Sequence, residues 1–240
     1  MSISVTAPDF FQLRGNTRAT RGGHCLQGFI GPYGHGCWML GDVDGDGYDD
    51  AAAVVHRRIA NGKERIFLVV KTRSGTLRSW MGDSADPYDG ANVAALAHID
   101  DKAGAELIVQ DWAGAFEAGY TIYTVRKERL IRIRTPGGYI QVGGTVGTGQ
   151  DDVNCPYGPS KGVLLVGYSS LYALRGRVEV RREFWRLEGT RFVRVHSFDR
   201  TYSRKDLGPD GVAPEHIPGF PSLESWDFAG CGVYPGYKIL

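Results

Sequence analysis

The chain lacks most of the features that would name a function outright. Its 28 Lys and Arg nearly balance 27 Asp and Glu, leaving a formal net charge of +1. A chain so balanced has no bulk field to draw it to nucleic acid or to an anionic membrane surface. No stretch approaches the roughly 18 consecutive apolar residues of a membrane span. The first residues, Met1 to Thr6, have no apolar core of a signal peptide. There is no G-x-S-x-G elbow and no H-E-x-x-H pair. Gly137-Gly138 and Gly143-Gly144 have no P-loop lysine or following helix and read as turns. Cysteine is scarce. Cys25, Cys37, Cys155 and Cys231 show no C-x₂-C spacing, so a zinc site is not indicated. Four such residues allow three disulfide connectivities. The expected pairs are Cys25–Cys37 and Cys155–Cys231, with free buried thiols as the alternative. His24 and His35 flank the first pair in a Gly-rich stretch, where a disulfide-pinned loop is a simpler reading than a Cys–His site.

Glycine, by contrast, is abundant. Its 34 occurrences in 240 residues are about twice the usual frequency. Spread along the chain, they imply many tight turns and many short strands. The strongest chemical signal is Asp42-Val43-Asp44-Gly45-Asp46-Gly47-Tyr48-Asp49-Asp50. A hard cation such as Ca²⁺ takes six to eight oxygens from a short, sharply turning loop. Asp42, Asp44 and Asp46 occupy positions one, three and five, Gly47 the turn at six, Tyr48 a carbonyl at seven, and Asp50 position nine. Five carboxylates within nine residues repel one another unless a cation or solvent neutralises them. An EF-hand would place Glu at position twelve between two helices. Position twelve is Ala53, and Ala51 to Val55 followed by Ile66 to Val70 are short apolar runs separated by turns, a strand pattern. The loop therefore joins strands.

The same arrangement recurs. Asp50, Glu106 and Gly162 each open an apolar run, 56 residues apart. The loop His98 to Glu106 keeps Asp100 and Glu106, but Lys102 stands where Asp46 was. The third loop, Asn154 to Gly158, has lost its carboxylates. Each run is followed by an expected hairpin: Ile66–Lys71 with Thr76–Trp80, Tyr120–Val125 with Leu130–Arg134, and Val178–Trp185 with Arg191–Val195. Four strands in about 56 residues is the size of a propeller blade.

These residues resemble the FG-GAP/VCBS repeat family, the blades of integrin-α-type β-propellers. Gly41 to Asp50 with the following strand carries the resemblance, and Ile99 to Val109 supports it. The resemblance covers roughly residues 37–200. It implies an all-β fold, a small β-propeller or propeller-like array of four-stranded blades. It also implies a loop that binds Ca²⁺ through Asp42, Asp44, Asp46, the Tyr48 carbonyl and Asp50. No ligands carry over to the second and third loops. Family propellers usually have seven blades, whereas three units are clear here, about 37–83, 92–137 and 139–200, within a single domain spanning 1–240. Residues 1–36 and 201–240 hold enough chain for a fourth blade shared by the termini. An open array and a ring completed by a second copy are the alternatives.

The function expected is that of a calcium-braced, non-enzymatic binding protein that recognises a protein or carbohydrate ligand through loops, with no nucleic acid and no membrane span involved. Disulfides and a calcium loop suit an extracellular or secreted protein, with a cytoplasmic one as the alternative. A secreted hydrolase or lyase acting on polysaccharide is the competing reading, drawing on Asp86, Asp89, His98, Asp151 and Asp152. The arginines of 177–194, interleaved with Glu179, Glu183 and Glu188, and with Arg126, Lys127, Arg129, Arg132 and Arg134 in the preceding unit, read as a solvated face more readily than as an anion-binding stripe. Trp38, Trp80, Trp112, Trp185 and Trp226 are expected between sheets, one or two on a sugar-binding face. Tyr33, Tyr88 and Tyr157 are candidates for a loop surface.

Overall fold

In a computed structural model the protein is described over residues 24–29, 35–59, 63–84, 91–113, 117–145, 149–155, 158–172, 177–203 and Cys231. The described part is all-β, fourteen strands with no α-helix. Five strands form one antiparallel sheet in the order β1 (His24–Phe29), β2 (His35–Gly41), β3 (Asp50–Arg58), β4 (Glu64–Lys71) and β5 (Thr76–Ser84). The other nine form a second array. β6 (Asn92–Ala97), β7 (Glu106–Ala113), β8 (Glu117–Arg126) and β9 (Arg129–Ile133) make a four-stranded meander. β10 (Ile140–Thr145) pairs with the other end of β8 and leads into β11 (Gly149–Asn154), β12 (Val163–Tyr172), β13 (Arg177–Glu188) and β14 (Arg191–Ser203).

The three expected hairpins are β4–β5, β8–β9 and β13–β14. The chain thus runs through three successive up-and-down meanders, β2–β5, β6–β9 and β11–β14. No closed barrel or ring of sheets is present among the described residues. β1 pairs with β2 at the edge of the first sheet. The rest of the closing segments, apart from β14 and Cys231, lies outside the described residues.

Side chains alternate along each strand, and the alternation decides which sheets meet. On the middle meander, Leu107, Val109, Tyr123 and Val125 point to the first sheet, where they pack with Met39, Ala52, Val54, Leu68 and Val70. Ile108, Tyr120, Ile122 and Ile133 point the other way, against Val153, Leu164, Val166, Trp185 and Phe192. Both faces of the middle sheet are therefore buried, which is why β7 reads Leu-Ile-Val without a polar break. The far face of the first sheet holds a smaller cluster of Trp38, Ala51, Ala53 and Val69. Cys155 and Cys231 stand at disulfide geometry, with Cα atoms 4.8 Å apart, and join the core of the third meander. The expected Cys25–Cys37 pair lies outside the described side chains. In the backbone register, Cys25 faces Met39 and Cys37 faces Gln27.

The loops that precede β3, β7 and β12 lie side by side. Ala105 N–H donates to Asp42 O at 2.9 Å, and Gly162 N–H donates to Ile99 O at 2.7 Å. The first contact is so close that glycine is required. A Cβ on Gly104, whose φ is +87°, would lie 2.6 Å from Val43 O, and one on Gly45 would lie 2.7 Å from Ala103 Cβ. Gly104→Val is expected to force the two loops apart and to strain a left-handed backbone, at a cost of about 2–4 kcal/mol. Chemical denaturation should show this as a drop in midpoint, whereas Gly138→Val, where nothing lies within 4 Å of the Cβ, should cost less.

Candidate metal centre

The acidic loop is organised by its own carboxylates. Asp50, at the first position of β3, is 2% exposed. Its Oδ2 accepts the N–H groups of Val43 at 3.0 Å and Asp44 at 3.1 Å. Asp42 accepts from Gly45 N–H at 2.7 Å through Oδ1 and from Gly47 N–H at 3.0 Å through Oδ2. Asp44 accepts from Asp46 N–H, and Asp46 from Tyr48 N–H, as successive Asx turns. Gly45 and Gly47 supply the positive φ angles, +84° and +86°. The result draws Asp42, Asp44 and Asp50 together, with one oxygen from each within 4.8 Å of the others. Asp46 stands outside that group, exposed, and the Tyr48 side chain is also exposed, with the Arg73 guanidinium 4.7 Å from its ring centre.

Charge is unbalanced here. Asp50 Oδ1 is buried with no hydrogen-bond partner. Burial, aided by the charges of Asp44 and Asp46 and opposed by the two backbone N–H groups, pushes the Asp50 carboxyl up to about 7. Burial also raises Asp44, and the charges of Asp46 and Asp42 add to it. A carboxylate oxygen taken out of water without a donor is costly. A cation between these groups would remove the cost.

The second loop shows what a cation does in this setting. Its hydrogen bonds repeat those of the first, shifted by 56 residues. Ile99 N–H donates to Glu106 Oε2 at 2.8 Å as Val43 does to Asp50, and Lys102 N–H donates to Asp100 Oδ1 at 2.9 Å as Asp46 does to Asp44. The oxygens left over are not orphaned. Arg126 Nη2 bridges Asp100 Oδ2 at 2.8 Å and Glu106 Oε1 at 3.1 Å, and Lys102 Nζ adds a bond to Asp100 Oδ2 at 3.1 Å. Burial raises Asp100, but the Lys102 N–H and ammonium and the Arg126 guanidinium outweigh it and hold the group below its usual range. Glu106, fully buried beside Asp100, is pushed up to about 7. Among the described residues, no cation takes the corresponding places around Asp44 and Asp50 in the first loop. Lys102 is replaced by Asp46. Ala51 pairs with Lys71 as Leu107 pairs with Tyr123, so counting along the strands places Ser74 where Arg126 stands.

A cleft of about 340 Å³ opens beside the acidic loop, lined by Asp44, Asp46, Thr72, Ser74, Lys127 and Glu128 among others. Lys127 and Glu128 form the tip of the β8–β9 hairpin with φ of 51° and 57°, the two left-handed residues of a type I′ turn made without Gly or Asn.

Asp86, Asp89, Tyr33, Tyr88, Tyr157 and Trp226 lie outside the described residues, and Asp151 and Asp152 lie on β11 with undescribed side chains. His98 N–H donates to Cys231 O. Trp38 and Trp185 are fully buried, Trp112 is half-buried, and Trp80 is exposed. The arginine face is partly neutralised by Arg181–Asp199 at 2.7 Å and Arg194–Glu183 at 2.9 Å, while Arg182 is buried. Sequence reasoning missed one polar pair, His56 Nδ1 with the buried Glu64 Oε2 at 3.0 Å, because its partners are eight residues apart on neighbouring strands. Comparison with family models, with curated proteins and with solved structures finds no match to this chain.

Arg126→Met, which keeps the stem but removes the bridging charge, is expected to leave Asp100 and Glu106 facing each other in a buried setting. Unfolding by urea should report a loss of about 3–5 kcal/mol. Adding Glu106→Gln to that variant should recover part of it, since the repulsion goes with the second charge.

Proposed function

We propose that this protein is a calcium-braced β-repeat module that recognises a protein or glycan partner through its loops, without catalysis. One observation carries the calcium part. Two loops of the same backbone design stand side by side, and where the second holds a guanidinium between its buried carboxylates the first offers a buried, partnerless Asp50 oxygen and an extra Asp. Equivalent places with opposite charge balance argue that the first takes an external cation. Oxygen-only donors on a tight loop suit a hard ion, and Ca²⁺ tolerates irregular coordination better than Mg²⁺. Asp42, Asp44 and Asp50 would hold it, with Asp46 and the Tyr48 carbonyl completing the set. The ion would neutralise the carboxylates and fix the turn that aims β3 into the core.

The same reading takes the three meanders as blades of a small propeller or propeller-like array. The support is that successive meanders pack face to face and bury both faces of the middle one.

Calorimetric titration of Ca²⁺ into chelator-treated protein is expected to show one site per chain, with a rise in melting temperature. Asp44→Ala should abolish both the heat and the rise. A melting curve that ignores both Ca²⁺ and EDTA would overturn the reading.

A further inference from the structure

The middle sheet carries a second polar site, at the strand ends remote from the acidic loop. Trp112 on β7 pairs with Gly119 on β8, and Gly119 pairs with Gln141 on β10. The five-membered ring of the Trp112 indole lies over Gly119, where any Cβ would collide with it. Tyr139 meets the indole edge-on, with ring centroids 6.2 Å apart and planes at 81°, and is itself 44% exposed. Arg132 stands beside them. Its Nη2 donates to Gly138 O at 2.8 Å and to Thr121 Oγ1 at 3.4 Å. The Thr121 hydroxyl in turn donates to Asp111, the neighbour of Trp112. The circuit is closed by chain neighbours: Trp112 meets Tyr139, whose neighbour Gly138 accepts from Arg132, which reaches the buried Thr121 and through it Asp111, the neighbour of Trp112.

This circuit fixes two aromatic rings and two opposite charges at a surface. Among the described residues, the Trp112 indole N–H and the Nε and Nη1 groups of Arg132 make no hydrogen bond. A partly exposed aromatic pair with preset donors and acceptors suits a ligand that has an apolar face and a polar rim. A pyranose ring is such a ligand, since its C–H groups stack on an aromatic face while its hydroxyls both donate and accept. The charges of Arg132 and Asp111 cancel locally, which fits a neutral ligand better than a phosphate. A protein hot spot of the same residues would need an apolar surround that excludes water, and this patch is bordered by Arg132, Asp111 and Gln141 instead. We infer that Trp112, Tyr139, Arg132 and Asp111 form a subsite for one neutral pyranose residue of a glycan. The inference deepens the binding reading by assigning a ligand class and a place, on residues that do not touch the metal loop.

The test uses the full chain with the methyl glycosides of glucose, galactose, mannose and N-acetylglucosamine as probes, followed by saturation-transfer NMR and tryptophan fluorescence. At least one probe is expected to bind with a Kd on the order of 1 mM. Trp112→Ala and Arg132→Gln should each weaken it at least about tenfold, a change of roughly 1.4 kcal/mol. Trp80→Ala, which removes an exposed indole elsewhere, should leave it unchanged. Trp112→Phe serves where the alanine variant melts early, and is expected to retain partial binding. Binding should persist with EDTA present, so that loss of the calcium reading and loss of this one are separate outcomes. No transfer to any probe at about 10 mM, or binding that survives in both Trp112→Ala and Arg132→Gln, overturns the assignment.

Discussion

A buried carboxylate at the mouth of an inner strand organises the described fold. Asp50 and Glu106 each sit at the first position of a core strand and each reach back seven residues to a backbone N–H. That bond folds the preceding loop onto the strand and sets where the strand enters the sheet. It also leaves a second oxygen of the same carboxylate inside the protein. The loop geometry and the charge problem come from one interaction, and the charge is relieved by a cation or by a proton. In the second loop Arg126 and Lys102 meet it from within the chain. Among the described residues, no side chain donates to the free oxygen of Asp50 in the first.

The loops also hold the meanders together. Ala105 bonds to Asp42 and Gly162 to Ile99, so each loop is the neighbour of the next. Between the first and second loops the backbones lie too close to absorb a side chain. An ion in the first loop would therefore act on more than its own turn. At the opposite strand ends the close approach is of a different kind, a side chain over a glycine, as Trp112 lies over Gly119. Side chains there form polar and aromatic surfaces, as Trp112, Tyr139 and Arg132 do.

Much of the strand layout was legible because it is local. Runs such as Ala51 to Val55 and Leu107 to Val109, punctuated by Gly-rich turns, specify strands and hairpins by short-range pattern alone. The Asp42–Asp50 loop was legible for the same reason, since its carboxylates and turn residues lie within nine positions. Lys102 was visible as a replacement for Asp46, but Arg126 was not. It reaches Asp100 across 26 residues and Glu106 across 20, from the far end of a neighbouring strand. β10 was also missed. Its Gly-Gly sequence is a poor strand signal, and it is held in the sheet by partners on both sides. Of the expected ligands, Asp42, Asp44 and Asp50 converge. Asp46 stands outside their group, and the Tyr48 side chain is exposed.

The sequence by itself determined the all-β class, the 56-residue recurrence and the chemistry of the acidic loop. Each is encoded in residue spacing along one short segment. Tertiary structure alone decided that the two loops stack, that one is neutralised by a guanidinium while the other keeps an orphaned oxygen, and that Trp112 lies across Gly119 beside Arg132. These depend on which strands pair and on which face each side chain takes, and that is settled by long-range pairing and packing of both faces of the middle sheet.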